Sequence, residues 1–190
     1  VVGILIAVVA VEEGTQLRRR RAILVIVLLS AVIIVADQLT KAWVRETIPL
    51  HTSYMPIAWL DRFVTLTHVE NHGIAFGLLQ GLGGLSAIIA VGLGVGIVWY
   101  VWRHPDLPPF MWWVFGLMLG GAVGNLIDRL TQDGVVTDFV DLRWWPVFNI
   151  ADSCLVIGAL LLAVYTLFFE GQERCGPATD AHYRAENDAG

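Results

Sequence analysis

Between Val147 and Phe169 the chain holds an apolar run long enough to cross a bilayer, with a single charged residue, Asp152, near its start. Three more runs of similar length are present: Ala22–Val44, Leu82–Trp102 and Phe110–Leu130. About 20 residues rising 1.5 Å each match a hydrocarbon core of about 30 Å. In lipid such runs must be helical, because every main-chain polar group needs an internal partner. With 56% hydrophobic and 15% charged residues and a mean hydropathy of +0.67, a soluble domain is excluded. The net charge of −5 comes with no basic stripe, which excludes a nucleic-acid partner.

The first eleven residues, Val1–Val11, are apolar but too short to span, and Glu12, Glu13 and Gly14 follow them. They resemble a signal-peptide core without its preceding positive charge, and residues 1–21 read as an N-terminal cytoplasmic extension. Arg18–Arg21 place that end in the cytoplasm by the positive-inside rule. An even number of spans brings the polar tail, 170–190, back to the same side. The expected architecture is an all-α polytopic membrane protein with four transmembrane helices across 22–169. A small extracytoplasmic β element is expected between helices 1 and 2, where Phe63–Val69 alternates as a strand and Pro49 and Pro56 exclude a helix. Trp112, Trp113, Trp144 and Trp145 suit the interfacial belts.

The polar residues of the spans gather at one face. Asp37, Gln38 and Lys41 close the first span, Asn125, Asp128 and Arg129 close the third, and Asn149 and Asp152 open the fourth. Asn71 and Gly73, then Asp138 and Asp141, lie in the loops on that side. Asp37 and Lys41 are i, i+4 and can pair. Arg129 is the neighbour suited to hold a carboxylate in a bidentate fork. Gly92, Gly94 and Gly96 in the second span and Gly120, Gly121 and Gly124 in the third allow close helix packing.

A carboxylate inside a span is a functional candidate by default. Asp138 and Asp152 could form a dyad that activates water, one carboxyl protonated while the other acts as base. The residues leave a second reading open, in which Asp152 caps the fourth helix and Asp138 is a solvated loop acid. Asp37 and Lys41 also have a plain reading as an interfacial ion pair. A small proton or ion channel lined by Asp37, Asp128 and Asp152 is the alternative function, although the inner halves of the spans carry almost no ionisable residue to continue a path. His68, Glu70 and His72 hint at a metal, but nothing completes the three-ligand set of a catalytic zinc. Cys154 and Cys175 fall in a helix and in the tail and imply no disulfide.

Five segments carry a family resemblance: Asp37-Gln38-Leu39-Thr40-Lys41; Asn71-His72-Gly73-Ile74-Ala75-Phe76-Gly77; Gly120 through Arg129; Val135-Val136-Thr137-Asp138-Phe139; and Phe148-Asn149-Ile150-Ala151-Asp152-Ser153. In that order the chain resembles the lipoprotein signal peptidases (signal peptidase II), aspartyl peptidases of bacterial membranes. The resemblance implies that Asp138 and Asp152 are catalytic and that Asp37, Lys41, Asn71, Gly73, Asn125, Arg129 and Asn149 support them. It implies no metal or other cofactor. The implied substrate is a prolipoprotein cut N-terminal to its diacylglyceryl-modified cysteine, in contact with membrane lipids, by an enzyme acting as a monomer. Glu70 and Thr137 depart from the family pattern, which often has a basic and an aliphatic residue there.

Overall fold

The structure is a computed structural model that describes residues 2–72 and 83–169, with side chains for 12–72 and 88–169. Four helices and three strands follow in the order α1 (Val2–Thr47), β1 (Ser53–Tyr54), β2 (Thr65–Asn71), α2 (Gly83–Arg103), α3 (Pro109–Thr131), β3 (Val136–Asp141) and α4 (Ile150–Phe168). Three helical stretches are long and apolar enough to cross a membrane: Glu12–Thr47, Pro109–Thr131 and Ile150–Phe168. Of α2, the described apolar stretch is the shorter Ile88–Arg103. The extension and the first span form one continuous helix, since no proline falls between Val2 and Thr47. Its 46 residues make a rod of about 69 Å at 1.5 Å per residue, more than twice the hydrocarbon thickness.

Helix α3 is the centre of the bundle and packs most extensively on α1 and α4. Lipid tails are as apolar as leucine, so helices associate through close van der Waals fit and not through removal of apolar surface from water. The glycines of α3 provide that fit. Gly116 lies under Leu29, Gly120 under Ile33 and Ser30, Gly121 under Ala151 and Leu155, and Gly124 under Asp37 and Ala151. The expectation for α2 is corrected: among the described residues a Cβ at Gly92 or Gly96 would meet nothing within 4 Å, and one at Gly94 would meet only Leu119, at 3.4 Å. Ala22 and Ile26 of α1, Ile97 and Val101 of α2, and Met111, Val114 and Phe115 of α3 form the buried core at the opposite end of the bundle from the polar residues. Leu28, Val32 and Val35 on α1 and Leu160 and Leu167 on α4 are exposed, as lipid-facing side chains are.

The β element is also corrected, because it is not confined to the α1–α2 connection. Its three strands run in the order β1-β2-β3, and β3 comes from the α3–α4 connection to pair antiparallel with β2. Strand β2 starts two residues later than the alternation of Phe63–Val69 suggests. A local turn captures its first residues: the main-chain N–H groups of Phe63 and Val64 both donate to the Leu60 carbonyl, at 2.8 and 2.9 Å. A bulge between Leu66 and Val69 shifts the register and sets Val69 opposite Asp138 and Asn71 opposite Val136. Residues diagonal across such a pair share a face, and so Asn71 meets Asp138.

Two local features bring the chain back over the end of α3. After Thr131, Asp133 (φ 51°) and Gly134 (φ 87°) take left-handed conformations that reverse the backbone into β3. Beyond β3, Phe148 pairs with Val140, with N–H···O bonds of 2.7 and 3.1 Å. That pairing folds the connection onto itself and places Asn149 beside Asp138. Val44, Ile48 and Phe139 form a second buried cluster fastening the end of α1 to β3. Outside lipid each such side chain contributes about 1.5–3 kcal/mol.

Candidate active site

The C-terminal ends of α1 and α3, the N-terminus of α4 and strand β3 meet at one end of the bundle. There the structure gathers Asp37, Lys41, Asn71, Asn125, Asp128, Asp138, Asn149 and Asp152. Gly73 lies outside the described residues, as do Cys175 and the tail.

Asn149 joins the two candidate acids. It is the N-cap of α4, in extended conformation, and its Oδ1 accepts from the main-chain N–H of Asp152 at 2.9 Å. Asp152 is three residues on, and its Oδ2 accepts from the Asn149 main-chain N–H at 3.2 Å, which completes a capping box. The plain reading of Asp152 as a helix cap therefore holds, and it leaves Oδ1 free for other work. That oxygen accepts from Asn125 Nδ2 at 2.7 Å. Asn149 Nδ2 meanwhile donates to Asp138 Oδ1 at 2.7 Å. Asp138 is not a solvated loop acid: it is 1% exposed, and its Oδ2 accepts from Asn71 Nδ2 at 2.9 Å.

Burial pushes the Asp138 carboxyl up from its ordinary 3.8 to about 6, and the charge of Asp152 adds to the rise. Hydrogen bonds from Asn71 and Asn149, and the more distant Lys41 ammonium, pull it back. A carboxyl that holds its proton more tightly than usual beside a second carboxyl is an arrangement that suits acid–base chemistry.

Behind the pair lies a buried charge network. The Lys41 ammonium is fully buried and reaches Asp37 Oδ2 at 2.8 Å, Asp128 Oδ2 at 3.1 Å and Asn125 Oδ1 at 3.0 Å. Its three donors are thereby used. Asp37 Oδ1 accepts the main-chain N–H of Ala151 at 3.0 Å, and Asp128 Oδ2 that of Thr137, also at 3.0 Å. Gln38 donates to Asp128 Oδ1 at 2.9 Å and to the Gly124 carbonyl at 3.1 Å. Arg45 donates to Thr137 Oγ1 at 3.1 Å and lies 3.8 Å from Asp128.

Arg129 does not hold a carboxylate among the described residues. Its Nη1 donates to the Asn125 carbonyl one turn back, at 3.2 Å, and Lys41 and Arg45 take the ionic role expected of it. Asp128 and Arg45 are the site residues that the sequence underplays. Asp128 carries one signal, its i, i+3 spacing from Asn125, whereas the reach of Arg45 to β3 has none.

His68 is buried with Nδ1 2.7 Å from the Ile48 carbonyl, a contact that ties β2 to the end of α1. Among the described residues no group of three His, Cys, Asp or Glu could hold a metal. A cavity of about 400 Å³ opens beside Asp152 and is lined by Trp144, Trp145, Phe148, Val156 and Ile157. It is apolar on the side away from the carboxyl and borders the lipid-facing surface of α4.

Comparison with known proteins identifies the family. A family model described as Signal peptidase (SPase) II matches residues 29–168. A lipoprotein signal peptidase of Syntrophomonas wolfei is 41% identical over 137 residues, covering 70% of this chain and 87% of the relative. One from Streptococcus pneumoniae is 37% identical, over 69% of this chain and 84% of its own length. Another, from Rhodococcus jostii, is 44% identical over 59% of this chain and 58% of its own length. Two solved structures titled as a bacterial membrane enzyme superpose with TM-scores of 0.66 and 0.68 at 32% and 31% identity. They cover 75% and 76% of this chain and 87% and 93% of their own.

Proposed function

Because the chain belongs to the signal peptidase II family, aspartic peptidases of bacterial membranes that remove signal peptides from prolipoproteins, we propose that Asp138 and Asp152 are its catalytic pair. One observation carries this reading: a single residue, Asn149, holds both carboxyls, by its amide to Asp138 and by its main-chain N–H to Asp152. The alternative of a channel has no support. The family is a peptidase family, and the buried charges end in closed salt bridges at one end of the bundle.

In the proposed reaction Asp138, the more buried acid, holds the proton at rest. Asp152, held by donors from Asn125 and Asn149, is the base. It takes a proton from water, which attacks the scissile carbonyl. Asp138 gives its proton to the developing oxyanion; on collapse the C–N bond breaks, the proton on Asp152 passes to the leaving amine and a hydroxyl proton of the intermediate returns to Asp138. Asn71, on the exposed end of β2, and Arg129 are proposed to bind the peptide backbone. Asn125 and Asn149 fix the carboxyl orientations, and Gly73 is assigned a supporting role on family resemblance alone.

The bond cut is proposed to lie N-terminal to a cysteine bearing diacylglycerol, whose apolar portion takes the cavity beside Asp152. The chemistry uses no cofactor. Four spans, with 1–21 and 170–190 on the cytoplasmic side, would put the pair near the extracytoplasmic face, in an enzyme working as a monomer. Mass spectrometry of the products from a prolipoprotein in lipidated and unlipidated form tests the proposal. The expected result is one cut, leaving the modified cysteine as the new N-terminus, with the unlipidated form cleaved at least 100-fold more slowly. Equal cleavage of the two forms would refute the lipid requirement.

A further inference from the structure

The buried network behind the pair has a repeated element. Asp37 accepts the main-chain N–H of Ala151, one residue before Asp152, and Asp128 accepts that of Thr137, one residue before Asp138, both at 3.0 Å. Both carboxylates are fully buried, and the same ammonium, Lys41, pairs with both, at 2.8 and 3.1 Å. We propose that Asp128 is a positioning residue for cleavage: with Asp37 it forms a matched pair of carboxylate clamps, each gripping the amide before one catalytic aspartate and both anchored on Lys41. The proposal rests on Asp138 and Asp152 being the catalytic pair.

Two physical facts favour a positioning role over a merely structural one. Buried ion pairs are poor stabilisers, since apolar residues of equal volume often give equal or greater stability. A network that only fastened α1 to α3 would not need six polar side chains, Asp37, Gln38, Lys41 and Arg45 with Asn125 and Asp128. Second, the grip reaches the reactive groups. Thr137 and Asp138 are consecutive in β3, so the Asp128 hydrogen bond fixes the strand where the carboxyl leaves it. Lys41 and Asn149 both donate to Asn125 Oδ1, at 3.0 and 3.1 Å, which leaves the Asn125 NH₂ facing Asp152. The spacing of Asp138 and Asp152 is thereby referred to one atom on α1, although the two acids sit on different elements.

The charges around Asp128 are Lys41 and Arg45 from α1, with Asp37 across the ammonium; β3 and α4 contribute Asp138 and Asp152. Glu70 on β2 stands opposite Thr137 and is exposed. Removing the Asp128 charge therefore leaves Lys41 and Arg45 less neutralised beside the pair, and Asp138 gives up its proton at lower pH.

Asp128→Asn in the full chain, assayed on lipidated prolipoprotein, tests this. The expected kcat falls roughly 10- to 100-fold, the scale of one lost charge-assisted hydrogen bond. KM stays within about twofold, and the alkaline limb of the pH profile moves to lower pH. Asp128→Glu keeps the charge while misplacing it; it should restore the limb but not kcat, and it serves where the amide variant folds poorly. Ser30→Ala removes a different buried α1–α3 tie, Ser30 Oγ to the Gly116 carbonyl at 3.1 Å, and should leave kcat and the limb unchanged. Wild-type kcat with an unmoved limb in Asp128→Asn would overturn the proposal, as would Ser30→Ala reproducing its losses. Failure of the catalytic pair itself looks different: Asp138→Asn and Asp152→Asn would then remain active.

Discussion

Gly121→Ala adds one methyl group at the seam that sets the position of Asp152. A Cβ at residue 121 would stand 2.9 Å from Leu155 Cγ and 3.1 Å from the Leu155 main-chain nitrogen, and closer still to the Ala151 carbonyl oxygen. Ordinary contact begins near 3.5 Å, so the first turn of α4 must retreat by roughly 1 Å. The Leu155 side chain can turn aside, but the two other atoms are main chain and cannot yield without moving α4. Ala151 also donates its N–H to Asp37 at 3.0 Å, and a retreat of roughly 1 Å takes that bond out of range. The overpacking costs about 1–3 kcal/mol and the lost charge-assisted bond a comparable amount. A displacement of this size at a reacting group costs roughly 100-fold in rate. The assay is cleavage of a lipidated prolipoprotein by purified enzyme, with thermal unfolding measured in the same detergent. The expected outcome is a kcat about 100-fold down in protein that still unfolds cooperatively. Gly92→Ala, where nothing lies within 4 Å among the described residues, should leave kcat unchanged and should not lower stability. Wild-type kcat in folded Gly121→Ala would refute the claim that the α3–α4 seam fixes the catalytic geometry.

The raised pKa of Asp138 has two further consequences. Its proton is lost near pH 6 in the folded chain and near 3.8 in the unfolded chain. The contribution of this one group to stability is therefore full below 3.8 and is lost as pH rises through about 6. Asp138→Asn should accordingly gain stability over wild type across that window and hold the gain above it, by at most about 3 kcal/mol at 1.36 kcal/mol per unit; urea unfolding at pH 4 and pH 7 measures the difference. Asn71→Ala removes a hydrogen bond that lowers the Asp138 value, so the alkaline limb of the pH–rate profile should move to higher pH, and an unmoved limb would contradict that role. A chelator should leave the cleavage rate unchanged, because the chemistry assigned to the two carboxyls requires no metal.

Much of the site was legible because helical spans convert sequence position into depth. Once the spans are drawn from run lengths, Asp37, Lys41, Asn125, Asn149 and Asp152 must come to one end, and the structure brings them together there. The i, i+4 spacing of Asp37 and Lys41 likewise fixes their contact in advance. What stayed hidden was non-local. Strand β3 is short, and only its pairing with β2, about 70 residues earlier, distinguishes Asp138 from a loop acid. Arg129 and Arg45 are alike as cations, and the one that approaches Asp128 is decided by how α1 and α3 cross. Gly92 and Gly96 show the limit of composition: a glycine permits close packing without ensuring that a helix is there to use it.

Catalysis by Asp138 and Asp152 acting as one unit is tested most directly by kcat for Asp138→Asn, Asp152→Asn and the double variant on lipidated prolipoprotein, each at matched amounts of folded enzyme. Each single change should reduce kcat by at least about 1000-fold, and the double variant should be no slower than the slower single one, because groups that share one step do not contribute additively. Wild-type turnover in either single variant, or losses that multiply in the double, would contradict a shared catalytic pair.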